Sequence, residues 1–230
     1  MITGHTNQRS AYARLAIKNF HSQSYSFKHL IIINQSSESL LTLPDPNITE
    51  LIVGKTTISL GALRNYALDL IPEGAYFTTW DDDDWRSTSY LLDFAYALKS
   101  PDLIPALSSR YEYNILSGLT WASYKPAGFV LFVAPKVKGV RYLDKATMED
   151  LEILDAYKRK GFKVVSLGNT PGNYIRLVHG NNTSLYVDVN KHYMITNPQY
   201  YEKPTSLDEK AFITTIMKPY VDVNLPIIAQ

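Results

Sequence analysis

Apolar residues follow two different spacings along the first hundred residues of the chain. Short apolar runs, typical of strands buried on both faces of a parallel sheet, cover residues 30–34 and 50–53, and an aromatic and β-branched run covers 75–80. Apolar positions three to four residues apart, which predict helices, cover residues 10–23, 61–71 and 87–98. Because strands alternate with helices, this half of the chain predicts an α/β fold with a mostly parallel, doubly wound (Rossmann-like) central sheet.

The second half of the chain has a different pattern. Two strand-like segments, 110–116 and 119–124, flank Ser117 and Gly118, which predicts a smaller antiparallel hairpin region. The segments that follow are predicted as strands over 129–133, 163–167 and 174–179 and as a helix over 147–160.

We predict one domain over residues 1–190 and a C-terminal tail over 191–230. A short helix in the tail, 206–217, begins with the capping-box sequence Ser-Leu-Asp-Glu. The pattern leaves open whether this tail packs on the domain, on a second subunit or on neither.

The composition excludes several classes of protein. The formal net charge of the 230 residues is +1, which gives no general electrostatic attraction to nucleic acids or membranes. The chain has no cysteine, so disulfides, thiolate metal sites and a cysteine nucleophile are excluded. The first residues lack the apolar segment of a signal peptide, and no apolar run approaches the length of a membrane span. We therefore expect a cytoplasmic protein without a nucleic-acid partner or an integral membrane segment.

Four consecutive aspartates, Asp81, Asp82, Asp83 and Asp84, lie between a predicted strand and a predicted helix. Such a run forms the turn at the carboxyl end of a buried strand, the edge at which open α/β sheets bind ligands. Like charges in one turn repel one another, and each carboxylate costs free energy to desolvate. A divalent cation offsets both effects, and carboxylate oxygens suit Mg²⁺, Mn²⁺ or Ca²⁺. The alternative is an acidic turn that is simply solvated.

Five short motifs occur in an order that resembles the family 2 glycosyltransferases of the GT-A fold. They are Thr-Asn-Gln-Arg at 6–9, Leu-Gly-Ala-Leu-Arg-Asn at 60–65, Trp-Asp-Asp-Asp-Asp at 80–84, Glu-Asp at 149–150 and Arg-Leu-Val-His-Gly-Asn-Asn-Thr-Ser at 176–184. None of the motifs is specific alone; their order and spacing carry the resemblance, which extends over residues 3–184.

The resemblance implies a GT-A fold and a metal-dependent, inverting transfer. A sugar would move from a nucleotide-diphosphate donor to a hydroxyl of a glycan or another acceptor. UDP, the commonest donor nucleotide of the family, is the preferred expectation, and Mn²⁺ or Mg²⁺ is the implied metal.

The resemblance also implies which residues hold the nucleotide. It places the donor beside Thr3, Asn7 and Arg9, although Asn7 could instead cap the helix that follows. It makes Asn34 the residue that contacts the nucleotide at the end of the second strand. Because the family has an acidic residue there, this departure leaves the nucleotide's identity open. Arg64 would hold the diphosphate or pair with an aspartate, and the alternative is an ordinary surface arginine.

Within the acidic run, the resemblance assigns the ribose to Asp81 and the metal to Asp83. Asp82 or Asp84 would share these contacts, because a run of four aspartates leaves the register open by one residue. His179 would complete the metal shell, and its alternative is a buried histidine at the end of a strand.

The Glu149–Asp150 pair is the implied catalytic site. The resemblance makes Asp150 the base that takes a proton from the acceptor, with Glu149 as the rival for this role. Asp150 is also spaced to cap a helix together with Thr147, which is the alternative interpretation.

Two other functions fit the same residues. A binding module of the same fold would bind nucleotide or carbohydrate without turnover. A metal-dependent phosphohydrolase would use the acidic run to hold two metal ions.

Overall fold

The computed structural model shows a chain that mixes helices and sheets. It describes residues 1–4, 7–115, 117–124, 131–145, 149–168, 173–179 and 201–228. The helices are α1 (Asn7–His21), α2 (Leu60–Asp69), α3 (Tyr90–Ala97), α4 (Glu149–Arg159) and α5 (Leu207–Ile228). The strands are β1 (Ile2–Thr3), β2 (Leu30–Asn34), β3 (Ile48–Ile52), β4 (Tyr76–Phe77), β5 (Trp85–Arg86), β6 (Leu103–Leu107), β7 (Ser109–Asn114), β8 (Thr120–Tyr124), β9 (Ala134–Pro135), β10 (Lys163–Leu167), β11 (Tyr174–Val178) and β12 (Tyr201–Pro204). The predicted α/β class is confirmed.

The strands of the described residues form several sheets. Strands β1, β2 and β3 make a parallel sheet, and β6 pairs in parallel with β10. The largest sheet has the order β12-β8-β7-β11-β5 and is mixed, since β11 is parallel to β7 and antiparallel to β5. The prediction of one mostly parallel central sheet is therefore met in part, because the parallel pairs are divided among three sheets.

The strand before the acidic run is shorter than predicted. The expected strand over 75–80 is reduced to β4, which pairs with β9 in an antiparallel ladder. Residues beyond Phe77 leave the ladder, and the Trp80 indole Nε1 instead donates a hydrogen bond to the Ala16 carbonyl of α1 at 3.2 Å. The side chain of Trp80 is buried among α1, β2 and α3, and this contact directs the chain towards α1.

The predicted hairpin is present. Strands β7 and β8 are antiparallel, and Gly118 in the connection has a φ of 66°, a conformation that glycine adopts without a steric cost. The predicted strand over 129–133 and the start of the helix over 147–160 fall partly on residues outside the described ranges.

The C-terminal helix is longer than predicted and packs on the rest of the chain. Helix α5 continues to Ile228 rather than ending at 217. Its Ile213, Met217 and Tyr220 are buried in one cluster with Tyr12 of α1, and the Tyr111 hydroxyl of β7 donates to Glu209 at 2.9 Å. The division of the chain at residue 190 stays a prediction. In the part of the chain that the structure describes, no helix combines the length and apolar character needed to cross a membrane.

Candidate functional site

The acidic run connects β4 to β5 and is mostly buried. Asp82, Asp83 and Asp84 are 1%, 9% and 3% exposed, whereas Asp81 is half-buried at the rim. A solvated acidic turn would leave these side chains in water, so the structure does not match that alternative. Buried carboxylates require partners, and the chain supplies them from α1, from β11 and from His179 directly after β11.

Arg9 in the first turns of α1 binds two of the aspartates. Its Nη2 lies 2.7 Å from Asp82 Oδ1, and its Nη1 lies 2.6 Å from Asp83 Oδ2. A guanidinium that bridges two carboxylates uses its rigid fork of donors, which gives shorter and stronger bonds than neutral pairs. The resemblance implies that Arg9 lies beside the nucleotide, which stays a prediction; the structure shows its ion pairs with the acidic run.

His179, directly after β11, binds the same oxygen of Asp83. Its Nε2 lies 3.0 Å from Asp83 Oδ2, and its ring packs 5.3 Å from the ring of Tyr12. Burial alone would raise the pKa of Asp83, but the hydrogen bond to His179 and the charge of Arg9 hold that pKa below its ordinary value. Asp83 therefore stays ionised despite its burial.

Asp84 has a different environment. The Tyr174 hydroxyl donates to its Oδ2, the Leu177 N–H donates to its Oδ1 at 3.2 Å, and the Tyr220 hydroxyl donates to its backbone carbonyl at 3.3 Å. Burial, followed by the charges of neighbouring Asp83 and Asp81, raises the pKa of Asp84 to about 7. Both carboxyl oxygens are thus used to hold β11, which favours Asp83 over Asp84 as a metal ligand.

Asp82 has the least complete set of partners in the run. Burial and the charge of Asp83 raise its pKa, although Arg9 acts in the opposite direction. The Thr3 hydroxyl faces this carboxyl, but neither that hydroxyl nor Asp82 Oδ2 makes a well-aligned hydrogen bond. An ionised oxygen in this position needs a cation or a proton.

Arg86, immediately beyond the run, is a residue that the sequence reasoning missed. It is fully buried, and its guanidinium lies 4.3, 5.5 and 5.2 Å from the ring centroids of Trp80, Tyr90 and Tyr174. None of its guanidinium nitrogens has a well-aligned hydrogen bond, so the aromatic faces are its main stabilising contacts. A basic residue two positions after four acidic ones was the available signal.

The start of α2 lies beside Asp81 and is fixed to the 142–145 segment. Arg64 Nη2 is 3.7 Å from Asp81 Oδ1, and the Arg64 guanidinium lies over the Tyr142 ring at 5.4 Å. The Asn65 amide donates to the Tyr142 carbonyl at 2.8 Å and accepts from the Tyr142 N–H at 2.9 Å. A Cβ on Gly61 would lie 1.8 Å from the Leu143 carbonyl oxygen, so only glycine fits this contact.

The 142–145 segment, which α2 holds in place, leads along the chain to α4, whose first two residues are Glu149 and Asp150. The side chains of both residues lie outside the described part of the structure, as does that of Asn7. The site predictions for these three residues stay predictions.

Asn34 lies at the end of β2 and has a local structural task. Its amide donates to Glu50 Oε1 at 2.6 Å and to the Glu38 carbonyl at 2.8 Å, and its Oδ1 accepts from the Ser36 N–H at 2.8 Å. The side chain is fully buried. These contacts shape the turn after β2.

A second buried carboxylate, Glu112 of β7, was also missed by the sequence reasoning. Arg110 Nε is 2.6 Å from its Oε1, and Arg176 Nη1 is 4.0 Å from the same atom. Burial would raise the pKa of Glu112, but the two arginines hold it below its ordinary value. The only local signal of the contacts among Arg110, Glu112 and Arg176 was that these charged residues alternate with apolar or aromatic residues in predicted strands.

The structure thus brings Thr3, Arg9, Asp82, Asp83 and His179 together, with Arg64 and Asp81 at the rim. Within the described ranges, no group of three or more His, Cys, Asp or Glu side chains is arranged to hold a metal ion. Asp83 and His179 are hydrogen-bonded to each other, and the same Asp83 oxygen is paired with the Arg9 guanidinium, so this carboxylate already faces a positive charge.

Comparison of the chain with known proteins does not identify a family for it. No protein-family model matches the chain, and no curated protein matches it.

Proposed function

We propose that the chain is a metal-dependent, inverting glycosyltransferase with a GT-A fold, which moves a sugar from a nucleotide-diphosphate donor to a hydroxyl acceptor. One observation carries the proposal. A buried pair of aspartates, Asp82 and Asp83, faces the Arg9 guanidinium in the connection between β4 and β5, beside Thr3 of the first strand. Structural aspartates are seldom buried in adjacent pairs, because each needs its own counter-charge.

Asp83 and His179 are the residues that would hold Mn²⁺ or Mg²⁺. A carboxylate and an imidazole suit Mn²⁺, and such ions commonly take only one or two protein carboxylates when substrate phosphates fill the remaining positions. A divalent ion bound there would stabilise the negative charge that develops on the leaving diphosphate. Because Asp84 is engaged with Tyr174 and Leu177, the proposed ligand set excludes it.

The donor would lie at the rim formed by Arg64 and Asp81. Arg64 of α2 faces Asp81, and its fork of donors could pair with diphosphate oxygens there. Asp81 is the most exposed aspartate of the run, so its carboxylate can accept hydrogen bonds from ribose hydroxyls. UDP stays the preferred nucleotide from the resemblance.

The base would be Asp150, with Glu149 as its rival, at the N-terminus of α4. The carboxylate takes the proton of the acceptor hydroxyl while that oxygen bonds to the anomeric carbon. The bond between the anomeric carbon and the diphosphate oxygen breaks with its electron pair on the diphosphate. Attack from the opposite face inverts the configuration.

The test combines binding with turnover. Thermal shifts with UDP, GDP, CDP and dTDP, each with and without Mn²⁺, identify the nucleotide, since a ligand of the folded state raises the melting point. Asp83→Asn should remove the Mn²⁺-dependent part of the shift and the release of nucleoside diphosphate from the matching nucleotide sugar. Asp69→Asn, in an exposed pair with Arg141, is the matched control and should leave both unchanged.

The outcomes separate the alternatives. Metal-dependent binding without turnover, in the presence of a panel of glycan acceptors, would indicate a binding module. Release of inorganic phosphate would indicate a phosphohydrolase. Nucleotide binding that is the same with and without Mn²⁺, in both wild type and Asp83→Asn, would refute the proposed metal site.

A further inference from the structure

The cation beside the acidic pair belongs to the chain itself. Arg9 reaches Asp82 and Asp83 with two different nitrogens at 2.7 and 2.6 Å, and Asp83 lies 74 residues away along the sequence. The same Asp83 oxygen also contacts His179 at 3.0 Å. One oxygen of Asp83 is therefore shared between the arginine and the histidine of the proposed metal pair.

The chain makes room for this arginine. Gly4 lies beside its stem, and a Cβ at position 4 would be 3.1 Å from Arg9 Cγ. A side chain there would push the stem by a few tenths of an ångström. The glycine thus permits Arg9 to fold back over the acidic pair from the first turns of α1.

A divalent ion and a guanidinium on the same Asp83 oxygen would weaken each other's binding. Two cations a few ångströms apart repel one another strongly where water is excluded. The Arg9 side chain is 23% exposed, so part of it already reaches solvent. A guanidinium released to the rim would face the side on which an anionic diphosphate is proposed to bind.

On the basis of the proposed function, we infer that Arg9 is an internal counter-ion that holds the acidic pair closed, and that binding of the divalent metal displaces it. The arginine stabilises the metal-free protein and opposes metal binding. Metal and arginine therefore compete for Asp83, and the competition sets the metal affinity.

The test measures Mn²⁺ affinity directly, by electron paramagnetic resonance titration of free Mn²⁺, without any turnover assay. Arg9→Met removes the charge but keeps an unbranched stem. It should tighten Mn²⁺ binding by about 5- to 150-fold, the range of typical coupling between two linked equilibria. Arg14→Met, at an exposed position of the same helix, is the control and should bind Mn²⁺ as the wild type does.

Thermal melts provide the second readout. In EDTA, Arg9→Met should melt below the wild type, since two buried carboxylates lose their counter-charge, and saturating Mn²⁺ should raise its melting point by more than that of the wild type. Gly4→Ala keeps the arginine and its charge but displaces the stem. It should shift Mn²⁺ affinity in the same direction by a smaller factor, and it tests the inference even if Arg9→Met does not fold.

Three results would overturn the inference. Equal Mn²⁺ affinity in wild type, Arg9→Met and Gly4→Ala would show that Arg9 does not compete, while the proposed metal site stands. Weaker binding in Arg9→Met would show that the arginine assists the metal. Absence of Mn²⁺ binding in all variants, with and without nucleoside diphosphate, would remove the proposed metal site and the inference together.

Discussion

Asn65 is the residue at which the structure and the proposed catalytic step can be tested together. Its side-chain amide pairs with both backbone groups of Tyr142, at 2.8 and 2.9 Å, and thereby ties α2 to the segment that leads to α4. Asn65→Ala removes both hydrogen bonds and leaves a backbone N–H and a carbonyl without their partner. Each such bond contributes about 0.5–1.5 kcal/mol, and an orphaned buried group costs about 1–3 kcal/mol.

Because the contact is only partly buried, we expect water to replace part of what is lost. The free energy of unfolding should fall by about 2–3 kcal/mol, and the melting point by roughly 4–12 °C, using the shift of about 2–4 °C per kcal/mol for a chain of this size. Urea unfolding measures the first quantity and a thermal melt the second. Asn47→Ala, at an exposed position, is the control and should change neither.

The functional effect should be larger than the effect on stability. If Asp150 is the base, a loosened 142–145 segment misplaces it, and a displacement of about 1 Å can cost about 100-fold in rate. Single-turnover transfer should slow while the affinity for the nucleotide diphosphate changes little. Asn65→Asp, which keeps the acceptor but sets a carboxylate against the Tyr142 carbonyl, should behave in the same way. Unchanged stability, or a rate loss that merely follows lost donor affinity, would refute this reasoning.

Two further predictions concern carboxylates. If Asp150 is the base, Asp150→Asn should lower the rate of single-turnover transfer by about 10²- to 10⁴-fold with an almost unchanged melting point. If Asp150 only caps α4, the rate should stay normal in Asp150→Asn. A loss of transfer in Glu149→Gln alone would show that Glu149 is the base. Because the pKa of Asp84 is raised to about 7, the folded protein holds a proton there that the unfolded chain releases above about pH 4. The stability contributed by this proton falls as pH rises through that window. In EDTA, Asp84→Asn should therefore gain stability relative to wild type between about pH 5 and about pH 8, by at most about 4 kcal/mol in urea melts. If the difference in unfolding free energy between Asp84→Asn and wild type is the same at about pH 5 and at about pH 8, the raised pKa of Asp84 is wrong.

The sequence alone determined the local elements and the place of the acidic run. Helix α1, strand β2 and the β7–β8 hairpin follow from apolar spacing and turn residues, which act between near neighbours in the chain. The helix start at 206–209 follows in the same way from its capping box, whose Ser206 and Glu209 bonds are present. The pattern could not show that α5 continues to Ile228, because residues buried against α1 extend the helix beyond its local signal.

The tertiary structure alone decided which partners each aspartate of the run has. Four identical residues carry no sequence signal that separates them, so their roles depend on partners that arrive from far along the chain. Asp83 meets Arg9 across 74 residues, and the carbonyl of Asp84 meets the Tyr220 hydroxyl across 136. The early end of β4 was decided in the same way, since Trp80 packs on α1 rather than extending the strand. Burial makes each carboxylate depend on its nearest counter-charge or donor, and those distances are set by packing rather than by spacing along the chain.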